Sequence, residues 1–552
     1  MDRLDHAGFP RSHCWIAAAL MSVAGTVGAQ TLTPGAVGDT LPKPPITQAP
    51  ATPSIQRESA ASAAPVAASA TRITVSRFIF EGNTRYSAEE LGAVVASFVG
   101  RPITLLDVYA AADLVAEHYA RNGYTLASVN VPPQKIEQGS VQLQISEGRL
   151  ARVETEGNRI YSDAQILGQI AARPGEVYRG TDLERNLRTL NASPGLQVRA
   201  TVRPGTEYGT SDLLLRATEK RFEGGFSVDN YGRDSIGEIR YALNGQINNP
   251  LRLADQLQLM ALTSEDGLLT YGYGGYSLPL NNKGTRFQAA LGYAKFEVRD
   301  TPVEGENLTG RLTLEHPLLS TQDRQLIASI GVATIDANSD FSGVLLNDTL
   351  VTVLEVGARY SYSSPSTGIT QVSTQIATNF QQLTRQEIAT AQLAGRRLDG
   401  DQRLRLELDA QQLMPLAAGF EILGHLNGVY SPDPLVDTQQ YSLGGPGSVR
   451  GFLPSEIRGD RGYFGSLTLQ RPMAFGAVRI TPRLFADSGT VFVVDAPNGV
   501  SERESLTSVG IGTDLQYQRL GIKLDWSFPT DRHIASDGKD DHRLFGALSA
   551  SF

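Results

Sequence analysis

From about Arg221 to the end of the chain, apolar and polar residues alternate with a period of two. Phe222, Gly224, Phe226 and Val228 fall on one side, and Glu223, Ser227 and Asp229 on the other. Ile239, Tyr241, Leu243 and Ile247 interleave with Arg240, Asn244, Gln246 and Asn248. Leu520, Ile522, Leu524, Trp526 and Phe528 do the same with Gly521, Lys523, Asp525 and Ser527, and the pattern persists to Leu544, Leu548, Ala550 and Phe552. A period of two puts successive side chains on opposite faces of a strand. A soluble sandwich also alternates, but it has no need of a face of Asn, Gln, Arg and Asp kept up to the last residue. Apolar-out, polar-in strands of this length suit a transmembrane antiparallel β-barrel with a polar lumen. At about 20 residues per strand and connection, residues 221–552 accommodate roughly 16 strands.

Ahead of the barrel the pattern reads as two copies of one small α/β module in βααββ order, residues 72–149 and 150–220, roughly 75 residues each. In the first, Ile73, Val75, Phe78 and Phe80 form a strand ended by Gly82-Asn83. Ser87 with Glu90 makes a capping box that opens a helix. A second helix carries Leu106, Tyr109, Ala112, Leu114, Val115 and Tyr119 near helical spacing and stops at Asn122-Gly123. Strands follow over Tyr124–Val131 and Ser140–Ser146. In the second copy, Leu150 and Val153 precede Gly157-Asn158; helices are predicted at Ser162–Ala171 and Asp182–Asn191, and strands at Gln197–Arg203 and Asp212–Thr218.

The first 29 residues have the features of a signal peptide: Arg3 and Arg11, an apolar stretch from Trp15 to Val23, and small residues Val27-Gly28-Ala29 before Gln30. The mature chain is expected to start at Gln30. Residues 30–71 are rich in Pro, Ala, Thr and Ser and read as a linker unable to build a core of its own. Their composition allows a short helix over Ser54–Ala64, a candidate plug for the pore. Cys14, the only cysteine, lies in the leader, which excludes disulfides and thiol chemistry from the mature chain. No run of 18 apolar residues follows Ala29, so no spanning helix is expected. A net charge of −9, with both signs dispersed, gives no basic patch for nucleic acid.

Two motifs are more specific. Tyr441-Ser442-Leu443-Gly444-Gly445-Pro446-Gly447-Ser448-Val449-Arg450-Gly451-Phe452 resembles the sixth extracellular loop of the two-partner secretion transporters, whose hallmark is Val449-Arg450-Gly451-Phe452. Gly459-Asp460-Arg461-Gly462 is similar to the segment that follows it there. A second hallmark of that superfamily, which also includes barrel assembly factors, appears as Phe485-Ala486-Asp487-Ser488-Gly489. Phe552 resembles the terminal barrel recognition signal, and the βααββ units resemble polypeptide-transport-associated (POTRA) modules. The resemblance runs from about residue 72 to 552. It implies a loop folded into the lumen with Arg450 at its tip and Asp487 on the facing wall. A desolvated guanidinium is costly alone, and a carboxylate accepts its planar fork in a two-pronged bond.

Catalytic and metal constellations are not evident. Histidines 6, 13, 118, 316, 425, 533 and 542 lack ligand spacing, and His316 and His425 read as lumenal or girdle residues on strands. The Gly-Tyr-Gly-Gly-Tyr run at 272–276 lacks the Lys-Ser/Thr of a phosphate loop. No cofactor, metal or enzymatic activity is expected. The resemblance implies a protein of the outer membrane with its modules in the periplasm. Its partners would be a secreted protein bearing an N-terminal secretion domain, outer-membrane lipid, and the barrel assembly machinery during biogenesis. Export of that partner through the barrel is the leading function; the alternative is insertion of other barrels into the membrane. A passive porin would leave residues 72–217 without a role. The second module, next to the pore, is the candidate surface for capturing the partner by strand addition.

Overall fold

The computed structural model describes residues 33–41, 55–57, 72–170, 175–207, 210–379, 388, 398, 403–496, 501–531, 533, 535–538 and 541–552. The expected signal peptide over residues 1–29, with its cleavage point before Gln30, lies outside them, as does most of the linker.

The C-terminal region is a closed antiparallel barrel that runs from Phe222–Asp229 round to Arg543–Ser551. Its wall has seventeen strand segments, of which Arg461–Gln470 and Met473–Phe475 are two pieces of the twelfth strand. Both pieces pair with Val478–Phe492, so the barrel has sixteen strands. Closure pairs Gly225–Asp229 with Ala547–Ser551, leaving no edge to face hydrocarbon. Leu243, Leu259, Leu291, Leu312, Leu467, Leu484 and Leu548 are all exposed on its outer surface, as a lipid-facing wall requires.

The two modules share a turn that explains their repeat. Gly82-Asn83-Thr84-Arg85-Tyr86-Ser87 and Gly157-Asn158-Arg159-Ile160-Tyr161-Ser162 each lead from a strand into a capped helix. Gly82 (φ 88°) and Gly157 (φ 87°) hold left-handed backbone where a side chain would strike a carbonyl oxygen, of Ile145 and Ala217 respectively. The asparagines donate to the Tyr86 and Tyr161 carbonyls at 2.9 and 3.0 Å. A carboxylate at the end of the module's last strand, or just past it, then gathers the turn's N–H groups. Glu147 accepts from Thr84 and Arg85 at 2.6 and 2.8 Å, and Glu219 from Arg159, Ile160 and Tyr161 at 2.7, 2.7 and 2.9 Å. Each carboxylate thereby fixes the turn's backbone against the strand that carries the module's sheet.

Four sequence expectations are corrected. The long helix of the first module, Leu105–Arg121, buries Val108, Ala111, Ala112, Val115 and Tyr119, while Leu106, Tyr109 and Leu114 face outward. Its Thr104 cap fixes the start of the helix and hence this phase. The strand predicted over Tyr124–Val131 shrinks to Ser128–Asn130, because Tyr124 joins Tyr86 and Tyr119 in an aromatic cluster and Ala127 turns back onto its carbonyl. The helix predicted at Asp182 starts at Gly180, whose N–H donates to Gly123 O at 2.9 Å and so ties the two modules together. Residues 55–57, inside the helix expected over Ser54–Ala64, form a strand instead, parallel to Leu196–Pro204. The linker's helix lies earlier, at Pro34–Thr40. The C-terminal end of the helix predicted at Ser162–Ala171 lies partly outside the described residues; the helix itself spans Asp163–Leu167 after a Ser162 cap.

Candidate functional site

Residues 431–460 connect the eleventh strand, Glu421–Tyr430, to the twelfth. They do not stand out into solvent. A small hairpin, Tyr441–Leu443 paired with Ile457–Gly459, carries the tip inward. Gly444 (φ 113°) and Gly445 (φ 87°) turn it, and a side chain on Gly444 would strike Leu453 O. Ser448 braces the turn, accepting from Gly444 N at 2.8 Å and donating to Gly444 O at 3.0 Å. Val449 and Phe452 are fully buried in a cluster with Tyr441, Leu443, Phe464, Val491 and Leu506, so apolar packing seats the tip.

That seating delivers Arg450 to the wall. Its Nε and Nη2 donate to Asp487 Oδ2 and Oδ1 at 2.8 and 2.7 Å, a two-pronged pair, and its backbone N–H reaches Oδ2 at 3.2 Å. Nη2 also lies 3.1 Å from Ser466 Oγ, which itself donates to Asp487 Oδ1 at 2.7 Å. The guanidinium carbon sits 3.4 Å from the centroid of the Phe485 ring, so the cation rests on an aromatic face. Ser527 donates to Arg450 O at 2.5 Å, and Gly451 N donates to Ser508 Oγ at 3.2 Å. A side chain at Gly489 would meet Leu443 Cδ1 at 2.6 Å, so that glycine makes room for the hairpin. The fourteenth and fifteenth strands thus join the twelfth and thirteenth in holding one loop tip.

The structure therefore gathers Val449, Arg450, Gly451, Phe452, Phe485, Asp487 and Gly489 into one site. Phe552 lies elsewhere: it closes the seam, with its N–H donating to Gly224 O at 3.0 Å and its ring exposed on the outer surface.

Sequence reasoning did not identify the second grip on the same loop. At its base, Asp437 accepts from Thr33 Oγ1 and Gly35 N, both at 2.7 Å, at the N-terminus of helix Pro34–Thr40. Arg458 pairs with Asp437 and with Asp39, the latter at 3.4 Å. Ser455 Oγ donates to Ala36 O at 3.2 Å, and Arg240, itself paired with Asp229, donates to Thr40 O at 2.6 Å. Val37 is fully buried against Ile236 of the loop between the first two strands and Ala242, Leu262, Leu269 and Phe296 of the wall. Thr33-Pro34 was the available signal, a cap residue followed by proline at the first helical position. Arg483 and Asp525, paired at 2.9 Å beside Arg450, were also not singled out.

Residues 209–515 match the family profile described as "Haemolysin secretion/activation protein ShlB/FhaC/HecB", and residues 73–148 that of the "POTRA domain, ShlB-type". The chain is 23% identical over 497 residues to the heme/hemopexin transporter protein HuxB of Haemophilus influenzae, covering 87% of each. It is 26% identical over 420 residues to the outer membrane transporter CdiB of Dickeya dadantii, covering 71% of each. The solved structure of CdiB from Escherichia coli is similar in fold over the whole of both chains, with a TM-score of 0.67 at 20% identity.

Proposed function

The chain belongs to the haemolysin secretion/activation family, the outer-membrane transporters of two-partner secretion, and on that premise we propose how its parts divide the work. It is an outer-membrane protein that captures an unfolded partner protein in the periplasm and exports it through its barrel. In our reading the partner carries an N-terminal secretion domain and is an exoprotein. The second module captures it by strand addition. Among the described residues, that module's sheet has Ile55–Arg57 at one edge and Arg149–Glu156 at the other, and we assign the longer edge strand, Arg149–Glu156, to the partner. Folding of the partner outside supplies the drive, and the chain performs no reaction of its own. Phe552, at the seam, serves the assembly machinery that inserts the barrel among outer-membrane lipids.

The observation that carries this reading is the two-pronged Arg450–Asp487 pair inside a closed lumen. A loop tip tethered to the wall by a buried ion pair is a closed state with a defined release point. Helix Pro34–Thr40, clasped by Asp437 and Arg458, is a second occupant of the same lumen. The test is co-expression with a candidate partner, a large secreted protein sought in the neighbouring reading frame. The partner should appear in the culture medium, and deleting residues 150–217 should abolish its release while the barrel remains heat-modifiable. Unchanged export from a stably inserted deletion would remove the assigned role of the second module.

A further inference from the structure

The periplasmic turn between the second and third strands, residues 249–255, contains three non-glycine residues in left-handed backbone: Asn249 (φ 55°), Arg252 (φ 60°) and Ala254 (φ 58°). Such residues persist only where the surroundings over-determine them. Here the determinant is Asp255, which is fully buried. Its carboxylate accepts from Leu251 N at 3.2 Å, Leu253 N at 3.2 Å and Tyr276 OH at 2.8 Å. Asn249 closes the knot, donating its N–H to Asp255 O at 2.7 Å and accepting from Ala254 N at 2.8 Å through its side-chain oxygen.

A plain periplasmic hairpin needs none of this. What the knot produces is a shaped surface, and the second module sits on it. Asn249 Nδ2 donates to Ile160 O at 3.1 Å, and Gln165 Nε2 to Arg252 O at 2.9 Å. Ala254 packs on the module's own core. The neighbouring turn adds Asn282, paired with Gln169 at 3.2 Å and donating to Gly168 O at 3.3 Å. Ile160 lies in the turn that Glu219 gathers, so one carboxylate orders each side of the joint.

We infer that turn 249–255, knotted by Asp255, is a positioning joint that fixes the orientation of the second module over the pore mouth during export. Asp255 is a positioning residue and touches no cargo. The inference rests on the export reading, which the unaltered protein tests separately: release of partner by the parent chain is required before any variant is compared. In enzymes a misplacement of about 1 Å far from the reacting groups costs on the order of 100-fold, and a joint that orients a capture module is subject to the same geometric demand. Asp255→Ala should therefore lower export about tenfold or more while the barrel stays heat-modifiable.

The decisive arm is rescue. In an Asp255→Ala chain also carrying Gln169→Cys and Asn282→Cys, with Cys14 replaced, a short cleavable bis-thiosulfonate linker should restore most of the lost export. Cleaving the linker should abolish it again. A variant that had merely lost stability would not respond in this reversible way. Parental export from Asp255→Ala, or no gain on cross-linking, would overturn the proposal. Should Asp255→Ala fail to insert, Tyr276→Phe removes one bond to the same carboxylate and carries the test at about threefold; parental export from it would be equally fatal.

Discussion

The loop of residues 431–460 is gripped at two places, and the grips are built differently. At the tip, the partners of Arg450 come from the last strands of the barrel: Ser466, Thr468, Phe485, Asp487, Asp525 and Ser527. At the base, Asp437 and Arg458 hold Thr33, Gly35 and Asp39, roughly four hundred residues away in sequence. The first grip ties the loop to the immovable wall. The second ties it to a short helix that enters the lumen from a linker. Removing a piece from the wall is impossible without unfolding the barrel, but the helix is small enough to leave. The tip therefore sets where the loop rests, and the base sets what else occupies the lumen while it rests there.

The largest effect is expected from breaking the tip. Arg450→Ala leaves the carboxylate of Asp487 buried without its cation, which costs about 3–5 kcal/mol of the latched state. That shifts the balance between seated and displaced loop by roughly 100- to 5,000-fold. Export should fall sharply while heat-modifiability persists, and Asp487→Ala should act alike from the other side. Because each works through the other, the double alanine chain should be hardly worse than either single one. Losses in partner release that multiply in the double variant would show independent roles.

The contrast between the grips also governs what could be read from the sequence. The tip was legible because its residues fall in two short motifs that resemble the hallmarks of a transporter family, and the arginine and aspartate they carry are chemically complementary. The barrel was legible because its period of two is imposed on residues 221–552 by lipid on one side and water on the other. The base was not. Asp437 and Arg458 look like ordinary loop charges, and their partners sit in a proline- and alanine-rich stretch with no periodicity. The helix was expected at Ser54–Ala64 on propensity, yet Ile55–Arg57 pair as a strand and the helix forms at Pro34–Thr40. Propensity favoured the alanines; burial of Val37 against Phe296 and a Thr33 cap decided otherwise.

Breaking the base should give a smaller and different effect. Asp437→Ala removes the acceptor of Thr33 Oγ1 and Gly35 N and one of the two carboxylates paired with Arg458. Hydrogen bonds to a charged group contribute about 1.5–3 kcal/mol each, so the helix should leave the lumen far more often. Planar-bilayer conductance should rise, as it should on deleting residues 33–41, and the two changes together should add nothing further. Unaltered conductance in both would mean that the helix does not obstruct the pore.

A graded loss sharpens the account of the tip. Arg450→Lys keeps the charge but cannot span both oxygens of Asp487, reach Ser466 or lie flat on Phe485. Export should recover partly relative to alanine, to a level between it and the parent. Recovery to the parental level would mean that charge alone anchors the tip and that the planar geometry is incidental.

The smallest effect concerns the outer side of the same loop. Glu456, just past the tip, accepts from Ser536 N at 2.6 Å and Ser536 Oγ at 3.0 Å, and His533 Nε2 lies 3.5 Å from its Oε1. Arg233 adds bonds to Pro454 O at 2.7 Å and Ser536 Oγ at 2.7 Å, so the last extracellular loop is fastened over residues 454–456. The hydrogen bond to Glu456 raises the imidazole above its ordinary 6.5, burial opposes the shift, and Glu504 and Asp531 add to the rise. A raised pKa means that protonated His533 strengthens the fastening below about pH 6.5, and that this contribution is lost as pH climbs through the elevated value. His533 is partly exposed, so the contribution is about 1 kcal/mol or less. The bonds from Ser536 and Arg233 remain at every pH, and the loop should loosen rather than open. Channel noise in planar bilayers should therefore increase modestly between pH 6 and pH 8, and His533→Gln should flatten that dependence. An identical pH profile in the glutamine variant would assign the titration to another group and remove His533 from the fastening.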